Sequence, residues 1–275
     1  LTGEKGYCRV GETPIVSTAG PHYGEEPPLV GSGGSGTIFL SGCNLLCVFC
    51  QNHEISHGLS GSPAGPARIA RVMLALQRRG CENINFVTPT HVTPWLMEAV
   101  RLARQEGLAV PIVYNCGGYE SVETLRLLEG TVDIYMPDAK FWHPQTAERY
   151  ANAADYPDRM RDALVEMDRQ VGRLLIENGV ARSGLLVRHL VMPGMVEESK
   201  RILGYIAERL SSGTYVNVMD QYRPCGRAFE FPELKRGITP EEFEQAVEAA
   251  KKAELSRLDE RGPGFMLRLW QALQG

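Results

Sequence analysis

The chain has 275 residues, 43% of them hydrophobic, and a formal net charge of −4 at pH 7. Charged residues or prolines interrupt every long apolar stretch, so we expect no membrane-spanning segment and no membrane as a partner. Lys and Arg are dispersed along an acidic chain, which argues against nucleic acid as a partner.

The cysteine content indicates a reducing compartment. Seven cysteines make an odd and sparse set for this length, and no apolar secretion segment opens the chain. We therefore expect a cytoplasmic protein without a disulfide framework.

The first 36 residues are interpreted as an N-terminal arm, rich in Pro and Gly over residues 23–36. Its start is expected to be trimmed, because the chain begins at Leu1 without a Met. The glycines from Gly31 to Gly36 lack the Lys and Ser/Thr of a P-loop after them, so this stretch is interpreted as a flexible connection. Residues 37–275 are expected to form the main domain, with helices at its C-terminal end.

From residue 37 onward, short β-branched runs alternate with longer amphipathic stretches bounded by Pro and Gly, which is typical of βα units. The six predicted strands are residues 37–40, 83–87, 110–114, 132–136, 185–191 and 215–219. The predicted helices are residues 66–79, 94–106, 121–129, 157–178 and 196–210. A capping box of Thr239 and Glu242 opens one more helix, which is expected to reach about residue 257.

Repeated βα units give parallel strands joined by right-handed crossovers, so we predict an α/β fold, a (β/α)6 partial TIM-like barrel with an N-terminal extension. Functional side chains of such a fold gather at the carboxyl ends of the strands. The candidates there are Thr88, Thr90, Asn115, Cys116, Asp138 and Lys140. On the fifth strand, alternation lets only one of Arg188 and His189 face the barrel interior.

Cys43, Cys47 and Cys50 follow the first predicted strand in a C-x3-C-x2-C spacing. This spacing indicates a three-thiolate cradle for a [4Fe-4S] cluster. Three ligands leave the fourth iron without a protein thiolate, and an open metal position is where a substrate or cosubstrate can bind. The motif therefore suggests catalysis as well as electron storage.

Other interpretations of the triad remain open. The same spacing fits one face of a helix, as an inert buried stripe, although Gly42 and Asn44 suit a loop better. A zinc site could use His53 or His57 as fourth ligand, although no second clean ligand pair follows. A non-catalytic iron–sulfur protein for electron transfer is the alternative from another functional class.

Several motifs in the same order resemble the radical SAM superfamily, in particular the PflX-like group related to pyruvate formate-lyase activating enzyme. They are GPHYGEEPPL (20–29), SGTIFLSGCNLLCVFCQNHEISHG (35–58), VTPTHVTP (87–94), VDIYMPDAK (132–140) and LLVRHLVMPG (185–194). The resemblance covers nearly the whole chain and implies a radical SAM partial barrel.

The resemblance implies that Cys43, Cys47 and Cys50 ligate the cluster and that S-adenosyl-L-methionine (SAM) binds its open iron. One electron, from a flavodoxin- or ferredoxin-type reductant, would cleave a C–S bond of SAM to give methionine and a 5′-deoxyadenosyl radical. That radical would abstract a hydrogen from a glycine on a partner, a glycyl radical enzyme. The alternatives are a small molecule or a different protein residue.

The resemblance also suggests roles for other residues. Phe49 matches a position near the SAM adenine, with core packing as the alternative. Asp138 and Lys140 match an Asp-Leu-Lys motif near SAM and substrate, with a surface salt bridge as the alternative. Cys116 is a candidate for substrate contact or hydrogen-atom donation, and Thr88, Thr90, Asn115 and His189 are candidates for cofactor binding.

One departure from the activating enzymes stands out. Their Gly-Gly-Glu at the end of the second strand is replaced here by Val-Thr-Pro-Thr-His at residues 87–91, which contains no carboxylate. A charged acceptor for the SAM amino group is therefore missing there, although hydroxyls or carbonyls can still accept hydrogen bonds. The departure weakens the case for a glycyl radical enzyme as the substrate.

Overall fold

The computed structural model describes residues 5–259, which form ten strands and nine α-helices. The strands are β1 (Ile15–His22), β2 (Ser35–Leu40), β3 (Ser62–Pro63), β4 (Ile84–Val87), β5 (Ile112–Cys116), β6 (Ile134–Pro137), β7 (Leu175–Glu177), β8 (Val180–Leu190), β9 (Tyr215–Met219) and β10 (Arg257–Leu258). The helices are α1 (Pro27–Val30), α2 (His53–Ser56), α3 (Pro66–Arg78), α4 (Thr93–Gln105), α5 (Val122–Leu127), α6 (Pro144–Ala151), α7 (Tyr156–Val171), α8 (Val196–Arg209) and α9 (Pro240–Lys252).

The six predicted strands correspond to β2, β4, β5, β6, β8 and β9, which lie side by side in chain order and run parallel. Helices follow these strands along the chain, as in a sequence of βα units. The α/β fold with a mostly parallel sheet, a partial TIM-like barrel, is thereby confirmed. None of the helices that the structure describes is long and apolar enough to cross a membrane.

The two faces of the sheet have different surroundings, because neighbouring strand residues point to opposite sides. Val113, Ile134 and Leu186 face inward and form a small apolar cluster with Leu29 of α1. On the other face, residues such as Ile112 and Phe86 pack against α3 and α4. The inward face therefore encloses the space in which polar strand-end residues can meet.

The N-terminal arm is built into the sheet. β1 pairs antiparallel with β2, and α1 inserts Leu29, which is fully buried. A Cβ on Gly33 would lie 1.7 Å from the carbonyl oxygen of Gly80, so only glycine fits there. The interpretation of residues 31–36 as a flexible connection was wrong, because close backbone packing is what requires the glycines.

Two helix predictions extended too far. The helix predicted over 157–178 ends at Val171, and Leu175–Glu177 forms β7, which makes a hairpin with β8. Asn178 and Gly179 have φ angles of 52° and 81°, which two-residue hairpin turns of the Asn-Gly type require.

The last predicted helix begins with the expected capping box at Thr239 and Glu242. It ends at Lys252, however, and residues 257–258 form β10 beside β9. The backbone turns away at Glu254, whose φ is 60°. The short helix α6, which was not predicted, begins with a Pro at its first position.

Candidate functional site

A cavity of about 240 Å³ lies at the carboxyl ends of the parallel strands. We call it the mouth cavity. Its wall includes the loop after β2 and the ends of β4, β5, β6, β8 and β9. The residues that matter for its chemistry are Cys43, Cys47, Phe49, Cys50, Ser56, Thr88, Asn115, Cys116, Asp138, Lys140 and Arg188.

The three cysteines lie on a loop of turns, not on a helix. Gly42 and Leu46 have φ angles of 85° and 48°, and a Cβ on Gly42 would lie 2.5 Å from Val10 Cγ2. These left-handed residues bend the chain so that all three cysteines border the mouth cavity. The interpretation of the triad as a helical stripe is therefore wrong.

Two donors lie within hydrogen-bond distance of the cysteine sulfurs. Leu45 N lies 3.3 Å from Cys43 Sγ, and Ser56 Oγ lies 3.3 Å from Cys50 Sγ. Burial raises the pKa of the Cys43 and Cys47 thiols, while the charge of Lys140 opposes that rise. Metal ligation needs thiolates, so cluster binding supplies the free energy that removes these protons.

The geometry does not favour zinc. The ring nitrogens of His57 are engaged, Nδ1 at 2.8 Å from Ser56 Oγ and Nε2 at 3.2 Å from the Leu46 carbonyl oxygen. Within residues 5–259, no group of three or more His, Cys, Asp and Glu side chains is arranged to hold a single metal ion. Thiolates on a [4Fe-4S] cube bind different irons and need not converge on one point. The donor set therefore fits a cluster better.

Asp138 is the centre of a charged network in the mouth cavity. Its Oδ1 accepts from Arg188 Nε at 2.8 Å and its Oδ2 from Lys140 Nζ at 2.5 Å. Arg188 Nη2 also donates to Asn115 Oδ1 at 2.7 Å, and Arg188 Nη1 lies 3.9 Å from Glu25 Oε2. The Asp138 and Lys140 side chains are only 15% and 18% exposed, so a surface salt bridge is the wrong description.

The ionic states in this network follow from its surroundings. Burial alone would raise the pKa of Asp138, but the charges of Arg188 and Lys140 outweigh burial and hold that pKa below its ordinary value. Burial would likewise lower the pKa of Lys140, and the carboxylate of Asp138 raises it instead. The carboxylate and both cations are therefore charged at neutral pH.

Alternation on β8 decides between Arg188 and His189. Arg188 borders the mouth cavity, whereas His189 is 2% exposed and faces the helix layer. Its Nδ1 donates to the Ala139 carbonyl oxygen at 2.7 Å, and its Nε2 lies 2.8 Å from Ser199 Oγ. His189 is therefore not among the residues that border the mouth cavity, because its neighbour occupies the inward position.

The two threonines after β4 border different cavities. Thr88 borders the mouth cavity with φ of 61°, a strained conformation for a β-branched residue. Thr90 borders a different surface cavity, and its hydroxyl donates to Glu120 Oε1 at 2.6 Å. Thr90 is therefore not among the residues that border the mouth cavity, and its side chain is bonded to Glu120 instead.

Glu120 was not predicted. It is 3% exposed, and it accepts hydrogen bonds from Thr90 and from the Tyr114 hydroxyl at 3.1 Å. Burial raises its pKa to about 7, although these hydrogen bonds oppose the rise. Its position four residues after Cys116 was visible in the sequence, but its partners Thr90 and Tyr114 come from two separate segments, the loop after β4 and β5.

Cys116 and Phe49 both border the mouth cavity. Cys116 follows Asn115 on β5, so alternation puts its side chain on the opposite face of the sheet from Asn115, the same face as Tyr114. Its thiol interacts with Glu120 on that face. That orientation does not favour the predicted contact of the thiol with substrate. The Phe49 ring packs edge-on against Phe141, with centroids 6.0 Å apart, so core packing and cavity lining apply together.

The family model described as "Radical SAM superfamily" matches residues 37–206. The chain belongs to the radical SAM superfamily. The cysteine triad, four of the parallel strands (β4, β5, β6 and β8) and the Asp138, Lys140 and Arg188 side chains fall within the matched residues.

Individual relatives agree with this placement. The uncharacterized protein MJ0674 of Methanocaldococcus jannaschii is 35% identical over 261 residues, which are 92% of this chain and 71% of that protein. The crystal structure of methylornithine synthase (PylB) has a TM-score of 0.55 and 16% identity, over 85% of this chain and 68% of that one. SuiB of Streptococcus suis, solved with S-adenosylmethionine, has a TM-score of 0.53 and 10% identity, over 79% of this chain and 47% of that one. At these identities the solved structures show the fold alone.

Radical SAM proteins are enzymes that use a [4Fe-4S] cluster and SAM, so these are the cofactors of this chain. The residues present fit them. Cys43, Cys47 and Cys50 border one cavity and offer three thiolate ligands, while Asp138 and Lys140 place charged groups on the same wall.

Proposed function

We propose that this protein is a radical SAM enzyme that cleaves SAM reductively in the mouth cavity and uses the product to abstract a hydrogen atom. Bound there, the cluster and SAM supply one-electron cleavage of a C–S bond, giving methionine and a 5′-deoxyadenosyl radical. The observation that carries the proposal is that three cysteines and the largely buried ionic network of Asp138 border the same cavity.

The residues divide this task. Cys43, Cys47 and Cys50 hold the cluster, while Phe49 and Thr88 bound the space for SAM. Lys140 has three N–H donors, of which Asp138 accepts one, so donor capacity is left for a carboxylate in the cavity. Arg188 and Lys140 each donate to one oxygen of Asp138 and hold that carboxylate in place. A fixed carboxylate favours a single geometry for a group bound in the cavity.

We further propose an activating-enzyme-like oxidoreductase of the PflX-like group, with residues 1–36 as its arm and 37–275 as its radical SAM domain. The motifs at 20–29, 87–94, 132–140 and 185–194 support this assignment. The enzyme would work in the cytoplasm, take its electron from a flavodoxin- or ferredoxin-type reductant, and act on a glycine of a partner protein. Asp138 and Lys140 are proposed to contact SAM or substrate.

The second candidate substrate is a small polar molecule. Three charged side chains, Asp138, Lys140 and Arg188, line the mouth cavity, and charged groups of this kind suit a polar substrate. The missing carboxylate at residues 87–91 also departs from the activating enzymes.

Formation of 5′-deoxyadenosine tests the reaction class. The protein is reconstituted anaerobically with iron and sulfide, then reduced with dithionite in the presence of SAM. We expect 5′-deoxyadenosine and methionine, together with a change in the EPR spectrum of the cluster on SAM addition. Absence of both signals from cluster-loaded protein would contradict the proposal.

Two cysteine variants give a matched comparison. Cys47→Ala is expected to lose the cluster, since it removes one of three ligands. Cys81→Ala should keep it, because Cys81 is equally buried but packs in the apolar cluster under α3. Wild-type iron and sulfide content in Cys47→Ala would contradict the ligand assignment.

Deuterium transfer separates the two substrate classes. Extract from deuterated cells of the source organism is divided into macromolecular and small-molecule fractions, and each fraction is added to the reduced enzyme with unlabelled SAM. Deuterium in 5′-deoxyadenosine from the macromolecular fraction alone supports the partner-protein proposal. Label from the small-molecule fraction alone contradicts it and supports the second candidate.

A further inference from the structure

Ser56 has one hydroxyl proton and two neighbours that can accept it. Its Oγ lies 3.3 Å from Cys50 Sγ and 2.8 Å from His57 Nδ1, and the residue is 5% exposed. A hydroxyl donates only one hydrogen bond. Cys50 and His57 therefore compete for the same proton.

The protonation state of the His57 ring determines which neighbour receives the Ser56 hydroxyl proton. His57 Nε2 lies 3.2 Å from the Leu46 carbonyl oxygen, which can only accept, so Nε2 carries a proton. In the neutral ring Nδ1 is then an acceptor, and the Ser56 hydroxyl donates to it. In the protonated ring Nδ1 donates to Ser56 Oγ instead, which frees the hydroxyl proton for Cys50 Sγ.

We propose that Ser56 is a positioning residue that tunes the reduction potential of the cluster through Cys50, and that His57 controls whether its hydroxyl donates to that sulfur. The inference rests on the proposed function, since it takes Cys50 as a cluster ligand. A hydrogen bond to a ligating sulfur stabilises the more negative, reduced cluster and raises its potential. Electron uptake is thereby coupled to a proton on His57.

The charged groups that face His57 come from three segments. His53 of α2 stacks on it with ring centroids 4.0 Å apart, Arg9 of the N-terminal arm donates to its carbonyl oxygen at 3.4 Å, and Arg227 follows β9. Burial first, and then these three groups, lower the pKa of His57, while the bond to Leu46 opposes them.

The pH dependence follows from this environment. Near pH 7 the ring is neutral, so the hydroxyl is directed at His57, and acidification redirects it to Cys50. By thermodynamic reciprocity, reduction of the cluster raises the proton affinity of His57 by the same factor by which protonation favours reduction.

EPR-monitored redox titration of the reconstituted protein without SAM tests the inference, at about pH 8 and about pH 5, because the pKa of His57 lies below its ordinary value. In the wild type we expect the ratio of reduced to oxidised cluster at a fixed potential to rise up to about tenfold at the lower pH, equivalent to about 59 mV for one electron. Ser56→Ala should match the wild type at the higher pH and lose the rise. Ser56→Thr, which keeps a hydroxyl, should restore it.

His57→Phe gives the opposite sign. It removes the competing acceptor, so the hydroxyl donates to Cys50 at both pH values and the potential should be high and independent of pH. Ser60→Ala is the matched control, because Ser60 is exposed and its hydroxyl lies 3.5 Å from Ser17 Oγ. A Ser56→Ala variant that keeps the wild-type pH dependence, or a His57→Phe variant whose potential is not raised at the higher pH, overturns the proposal.

These measurements concern the loaded cluster and do not require SAM cleavage. Protein that shows the expected potentials but forms no 5′-deoxyadenosine contradicts the proposed function alone. Protein that forms 5′-deoxyadenosine while Ser56→Ala titrates like the wild type contradicts this inference alone. Failure to load any cluster overturns both.

Discussion

The two ends of the parallel strands are held by different kinds of hydrogen bonds. At the amino ends, which we call the base, Ser35 Oγ donates to Asn83 Oδ1 at 2.7 Å and Asn83 Nδ2 donates to the Leu29 carbonyl oxygen at 2.7 Å. At the carboxyl ends, the mouth, the carboxylate of Asp138 is bonded by two cations, Lys140 and Arg188. The buried Asn83 contacts at the base use neutral groups, whereas the Asp138 contacts at the mouth use charges.

The difference indicates which end was shaped for stability and which for chemistry. A buried neutral pair that satisfies its own donors and acceptors holds the fold at little electrostatic cost. A buried ionic network is costly to desolvate and contributes little net stability compared with an apolar core. Charges at the mouth are better explained by what must bind there.

Arg188→Met is expected to have the largest effect, because it leaves Asp138, whose side chain is largely buried, with Lys140 as its remaining strong cationic partner. Removing one partner of a buried ionic network lowers the free energy of unfolding by about 3 kcal/mol. The misplaced carboxylate should also reduce 5′-deoxyadenosine formation by about 100-fold. Urea titration and product assay measure the two effects, and wild-type turnover would break the assignment of the mouth to catalysis.

Asn83→Ala is the matching test at the base. It strips Ser35 Oγ and the Leu29 carbonyl oxygen of a buried partner, so the free energy of unfolding should fall by about 2 kcal/mol. Product formation per loaded cluster should not change, because the residue is absent from the wall of the mouth cavity. A tenfold loss of turnover in protein that carries its full cluster content would contradict the assignment of the base to stability and the mouth to chemistry.

Glu120→Gln tests the buried carboxyl behind the mouth. Burial raises the pKa of Glu120 from its ordinary 4.5 to about 7, so between these values the folded protein keeps a proton that the unfolded chain has lost. The free energy of unfolding therefore falls as pH rises through this window, by at most about 1.4 kcal/mol per pH unit from this group. In the glutamine variant this part of the pH dependence should be missing. The free energy of unfolding is measured by urea titration at several pH values in the window. The same pH dependence in the variant and the wild type would contradict the prediction.

Arg101→Ala should have the smallest effect. Its pair with Glu98 on α4 lies in solvent, with side chains 54% and 44% exposed. Exposed pairs contribute little net stability, and salt screens them. If Arg101→Ala lowered the free energy of unfolding as much as Arg188→Met in the same urea titration, the difference in exposure would not explain the difference between these ionic contacts.

Much of the fold was predictable because it rests on local signals. The β-branched runs marked all six parallel strands, and the Pro, Gly and capping residues located most helix ends. The errors arose where a short signal was overridden or overlooked. Asn178 and Gly179 marked the hairpin, yet the helical pattern before them was extended across it.

The site was predictable only in part, because side-chain direction depends on neighbours distant in sequence. Spacing and order identified Cys43, Cys47 and Cys50 as residues of one loop, and all of them border the mouth cavity. Alternation could say that Arg188 and His189 diverge but not which one faces inward. The sequence could not place the Thr90 side chain, because its partner, Glu120, lies 30 residues further along the chain.

The hairpin between β7 and β8 has a practical consequence for electrochemistry. Asn178 and Gly179 are exposed, and they lie just before Val180, at the start of β8, while the end of β8 lies at the mouth. Insertions are tolerated best at exposed turns of this kind. An attachment peptide inserted at this turn would tether the protein to an electrode on the side opposite the mouth. The cysteine loop would then remain accessible to a soluble electron donor.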